Sequence, residues 1–252
     1  MSGTTRMHMR HVLVAAVLSL APALSGVAAA QQGENTQRPD LSGIWQVLSP
    51  AAWNLLDHHA SDGVPAGQGV VVSNEIPYQS WAIEQRKRNF ESRASADPEQ
   101  KCYLPGVPRL TFMPFPFQIF QSDDLVLVMH EYARAIRHIH TNGTEHPRGP
   151  LEFWLGDSRG RWEGGTLVVD TVHFTNQTWL DRSGNFHSEE LHVVERFTPD
   201  GPDHIRYRVR LEDPKVFTRP WEVETVLYRR KETNVQVLEY NCYGFEHEGL
   251  YP

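Results

Sequence analysis

Apolar and polar residues alternate along much of this chain with a period of two, the pattern of strands that bury one face. The cleanest run is His204–Leu211: Ile205, Tyr207, Val209 and Leu211 fall on one face, His204, Arg206, Arg208 and Arg210 on the other. Strands are also predicted at Phe117–Gln121, Leu125–His130, Ala135–His140, Glu190–Phe197, Trp221–Arg229 and Val235–Asn241, with turn residues such as Ser122-Asp123-Asp124, Asn142-Gly143 and Asp181–Gly184 between some of them. Helical periodicity appears over Pro77–Arg93, with a thin apolar stripe of Trp81, Ile83 (or Glu84) and Phe90. About ten strands with short connections predict an all-β fold: an antiparallel barrel or strongly curved sheet with one flanking helix. Closure removes exposed edges, and a barrel of about eight to ten strands can hold one small ligand.

The densest run of turn signals lies in Trp154–Thr171. Gly156-Asp157-Ser158-Arg159-Gly160 reads as a tight turn in which Asp157 and Ser158 tie down backbone amides. Arg161-Trp162-Glu163 starts a strand, Gly164-Gly165 reads as a type I′ hairpin turn, and Thr166–Phe174 returns with Leu167, Val169, Thr171 and His173 on one face. The five-residue turn also fits G-x-S-x-G, the nucleophile elbow of hydrolases. That motif needs a helix directly after it, whereas Trp162, Glu163 and two glycines follow here, which argues against a serine nucleophile.

Arg6 and Arg10, an apolar run from Val12 to Leu24, and Ala28-Ala29-Ala30 have the layout of a secretory signal peptide at 1–30 cleaved near Ala30. Its apolar core is too short for a membrane span. Loss of the leader removes two arginines and takes the net charge from −7 to −9. A polar segment, 31–39, reads as disordered, and 40–252 as a single domain. The acidic balance argues against nucleic acid and against anionic membrane surfaces. No other apolar run approaches membrane length, so no membrane insertion is expected after cleavage, and the expected location is periplasmic or secreted. In that oxidising compartment the two cysteines, Cys102 and Cys242, read first as a disulfide closing a loop of about 140 residues.

Two resemblances add to this. Gly43-Ile44-Trp45 at the start of the mature chain resembles the opening strand of lipocalins, which implies a barrel with its closed end plugged by Trp45. The set PYQ-x-WA, CYLPGVPR, PFPFQI, GDSRGRWEG-x-TLVVDT and HSEELHVVERF resembles a family of secreted bacterial proteins of no assigned function, and covers most of the mature chain. That family carries Asp where this chain has Gly165.

Candidate chemistry comes from polar residues on apolar strand faces, because burying such groups is costly unless they are paired or used. Glu131 ends the face of Leu125, Leu127 and Met129; His173 ends that of Leu167 and Val169; Glu195 lies among Leu191, Val193 and Phe197; Glu239 continues the face of Val235 and Val237. Lining one barrel, Glu131, Glu195 and Glu239 would meet His173, with Arg137, Arg196 and His187 as partners. Carboxylates held in an apolar pocket can act as general acids or bases near neutral pH. The candidate catalytic set is therefore Glu131, His173, His187, Glu195 and Glu239, and the candidate binding set Arg137, Phe117, Tyr207 and Trp221. Paired surface ions between strands are the plainer reading of any one of these. His138 and His140 share a strand face and, with His130 or His146, raise zinc, but no Cys or Asp completes a familiar spacing, so no metal is expected. No nucleotide fingerprint is present, and no cofactor is expected. Acid–base chemistry of the lyase, isomerase or hydratase type on a small apolar or aromatic molecule is the first functional expectation. A non-catalytic carrier of such a molecule is the second.

Overall fold

The computed structural model describes residues 1–3, 38–61 and 64–242. Residues 4–30 of the expected leader and most of the polar 31–39 segment lie outside them. Among the described residues nine strands follow in chain order: β1 Gly43–Val47, β2 Phe117–Gln121, β3 Leu125–His130, β4 Ile136–His140, β5 Asp157–Glu163, β6 Thr166–Val172, β7 His192–Pro199, β8 His204–Glu212 and β9 Trp221–Arg229. Each pairs with its sequence neighbour, and β9 returns to β1, so the sheet is a closed barrel. The expected barrel with a flanking helix is what the chain forms, the helix being α1, Ser80–Glu91.

One pair departs from the antiparallel expectation. Strands that alternate in direction around a ring cannot all be antiparallel when their number is odd. β4 and β5 are the parallel pair, with only Ile139↔Ser158 and His140↔Arg159 in register, whereas β5 and β6 share seven paired positions. Residues 141–156 make the long connection that a parallel pair requires. We call this join the seam.

The two glycines of G-x-S-x-G allow close packing, and the segment between them is not the expected turn. Asp157–Gly160 is strand, not turn. Gly156 has φ +68°, and a Cβ there would meet Thr171 Cγ2 at 2.5 Å; at Gly160 a Cβ would lie 2.9 Å from Ile139 Cγ2. The hairpin at Gly164-Gly165 has positive φ at Gly164 alone (+58°), the type II′ pattern rather than type I′. Gly43, at φ +140°, leaves room for Arg229, whose guanidinium lies 4.2 Å over the ring of buried Trp45.

Inward positions of β7, β8 and β9 match the alternation of the sequence: Val193, Phe197, Ile205, Tyr207, Val209, Leu211, Val223 and Leu227 join one apolar cluster. Other faces are corrected. In β3 the buried residues are Val126, Val128 and His130, so Leu125, Leu127 and Met129 lie on the outer face. Residues 235–241 form no strand; Tyr240 makes a single bridge to Tyr132. In α1 the buried residues are Ala82 and Asn89, whereas Trp81, Ile83 and Phe90 are exposed. Cys102 and Cys242 form the expected disulfide, with Cα atoms 5.3 Å apart. Among the described residues no helix is long and apolar enough to cross a membrane.

Candidate functional site

The barrel's interior polar cluster is built from neighbouring strands. Arg137 (β4), Ser158 (β5), Thr171 (β6), Glu195 (β7) and Tyr207 (β8) all project inward because each occupies an alternate position of its strand. Arg137 grips the Glu195 carboxylate with both terminal nitrogens, Nη1 to Oε1 at 2.9 Å and Nη2 to Oε2. Its Nε donates to Ser158 Oγ at 3.1 Å and its Nη2 to Thr171 Oγ1 at 2.9 Å. The Tyr207 hydroxyl donates to Glu195 Oε1 at 2.7 Å. Both ions are excluded from water, Arg137 at 3% exposure and Glu195 at 0%. Burial works against the Arg137 cation, but the Glu195 charge more than offsets it and holds the pKa above its ordinary value. Burial, and then Glu195, push the Tyr207 phenol well up. The cluster is thus a charge-neutral knot with its hydrogen-bonding groups matched, as a buried pair requires.

His130 also faces inward, its ring 5.1 Å from Phe117. Burial, and then the Arg137 cation, lower its pKa to about 3, so it is neutral across ordinary pH. His130 and the outward-facing pair His138 and His140 therefore lie on opposite sides of the sheet. His146 is engaged elsewhere: Nδ1 lies 2.6 Å from Asp157 and Nε2 3.1 Å from Asp170, which also binds His192. These contacts hold the 141–156 connection against the outer wall.

The expected catalytic set does not converge. Only Glu195 reaches the interior knot. Glu131 accepts from the Leu238 amide at 2.9 Å. Glu239 is exposed and pairs with Arg134. His173 follows the end of β6 with φ +62°, which turns it off the strand face, and its Nε2 binds the Pro147 carbonyl. His187 is buried in the 175–191 loop, its Nδ1 donating to Ser188 O and its Nε2 accepting from Thr178, and burial lowers its pKa. Arg196 faces outward and pairs with Glu163. Of the expected binding set, Arg137 and Tyr207 belong to the knot, while Phe117 and Trp221 are core residues at 1% and 2% exposure.

A concave site opens instead at the seam, where sheet pairing is thinnest. A cavity of about 380 Å³ is walled by Leu104, Ile136, Phe153, Trp154 and Leu155, with His138, His140 and Asp157 as its polar groups. Arg137 and Ser158 are also among its lining residues, and both are nearly fully buried. The Trp154 ring is braced by Tyr103, 5.0 Å away. The volume lies within the range of small-ligand sites, about 300–1,000 Å³.

Sequence reasoning missed Phe153, Trp154 and Leu155, because the wall they form depends on which strands meet at the parallel join. It also missed a second buried ion network, in which Arg109 binds Asp97 and Glu99, and Glu99 binds Arg182. Arg109 closes the CYLPGVPR motif, and a charged residue ending an apolar loop was the available signal.

No known family model matches the chain, and no curated protein matches it.

Proposed function

We propose that this is a secreted, non-catalytic binding protein that carries a small apolar or aromatic molecule in the seam cavity. The supporting observation is the cavity's make-up: a mainly apolar and aromatic wall with a few convergent polar groups, set where barrel pairing drops to two residues. His138, His140 and Asp157 suit one polar substituent on the ligand. Membership of the secreted bacterial family that the sequence resembles belongs to the same proposal, as does cleavage near Ala30. The disulfide suits an oxidising compartment.

Acid–base turnover is the second reading. In its favour, Arg137, a lining residue of the cavity, is bound to Glu195, which also accepts from Tyr207. Against it, both carboxylate oxygens are already engaged by the Arg137 guanidinium and the Tyr207 phenol inside the barrel. Native mass spectrometry of protein isolated from its own host tests both readings. A bound organic mass that is released on denaturation, and that fresh protein rebinds without consuming, is expected. Conversion of that compound by fresh protein would overturn the carrier reading.

A further inference from the structure

We propose a second ligand site, for a neutral saccharide, in the cleft between α1, the 175–191 loop and the β8–β9 connection. This cleft has a volume of about 490 Å³ and shares no residue with the seam cavity. Its floor is aromatic. Trp81 is 53% exposed, yet its indole is not free to swing: Nε1 donates to the Lys215 carbonyl at 3.1 Å. Phe186 meets Trp81 edge-on at 5.9 Å and is itself backed by Tyr78 at 6.0 Å. An exposed indole fixed in orientation is a preformed stacking surface, and it binds at little entropic cost.

The facing groups narrow the ligand class. Gln85 and Asn89 lie one and two helical turns along from Trp81 and are joined to each other by a hydrogen bond of 2.8 Å. Asn176 and Glu189 sit opposite, and the Asn176 side chain bonds the Glu189 carboxylate. Gln85 and Asn89 are already satisfied within the protein, through each other, Arg88 and the Gly184 carbonyl. The polar groups left to a ligand are therefore Asn176 and Glu189, which a purely apolar ligand would cover without pairing. An anion would meet Glu189, and the neighbouring Lys215 ammonium is already neutralised by Glu189 and Glu190. A pyranose satisfies both sides: its C–H face carries partial positive charge that suits the indole face, and its hydroxyls pair with the Asn176 amide and the Glu189 carboxylate.

Isothermal titration of the mature protein with maltotriose, cellotriose, xylotriose and tri-N-acetylchitotriose tests this. Saturable binding of at least one, with a dissociation constant below about 1 mM, is expected. Trp81→Ala should weaken it by about 10-fold or more, with the thermal unfolding curve and binding at the seam cavity unchanged. Asn176→Ala should weaken it by a smaller factor. Failure of all four sugars to bind at about 10 mM, or undiminished binding by Trp81→Ala, would overturn the proposal.

Discussion

Replacing Glu195 by Gln tests the interior knot. The substitution keeps size and removes one charge. It leaves the Arg137 guanidinium 3% exposed with no counter-ion, and it leaves Tyr207 with a weaker acceptor. Removing one partner of a buried ion pair costs about 3–5 kcal/mol, because an uncompensated charge stays in a low-dielectric interior. For a chain of this size that corresponds to a fall in Tm of roughly 6–20 °C. Thermal unfolding followed by circular dichroism at neutral pH reads the effect directly. The double variant Arg137→Met/Glu195→Leu removes both charges, and its Tm should lie above that of Glu195→Gln, since apolar replacement of a whole buried pair is often neutral or stabilising. A Glu195→Gln protein whose Tm moves by less than about 2 °C would refute the reasoning, because the pair would then be hydrated or dispensable.

Acid should weaken the fold through His130. Its folded pKa, about 3, lies below the ordinary 6.5, so the unfolded chain takes up a proton that the folded chain refuses. Stability therefore falls as pH drops from 6.5 toward 3, by about 2 kcal/mol at pH 5, and His130→Gln should flatten that part of a urea-denaturation series against pH. Cys102→Ser and reduction of the wild type should lower Tm equally, by an amount corresponding to at most about 5 kcal/mol, and unequal shifts would show that the substitution acts through something other than the disulfide. Gly160→Ala should cost about 1–3 kcal/mol in denaturant titration, since its Cβ would press on Ile139 and Thr141 across the seam. Gly165→Asp should change stability by less than about 0.5 kcal/mol, because the nearest atom to an added Cβ is Pro39 Cγ at 3.7 Å.

These outcomes depend on features that the sequence shows unequally. Alternation placed β8 and its inward residues correctly, because its outer positions are occupied by His204, Arg206 and Arg208 and only one register buries the apolar set. In β3 both faces are apolar, Leu125 and Leu127 against Val126 and Val128, so period two alone could not tell inside from outside. Glu195 stood out as a carboxylate between Val193 and Phe197, and it is indeed buried. The same logic misplaced Glu239, which lies in a segment that never joins the sheet. The seam was not legible at all. It follows from the odd strand count and from the 141–156 connection that brings β5 beside β4 in the same direction, a property of the closed ring rather than of any local pattern.

The central claim is that the seam cavity holds a small apolar or aromatic ligand. Amide chemical-shift mapping during titration with indole and naphthoate tests it most directly. The account predicts saturable shifts concentrated at Ile136–His140 and Phe153–Ser158, lost in an Ile136→Glu variant that keeps the wild-type fold. Shifts confined to other segments, or none at concentrations up to about 1 mM, would contradict it.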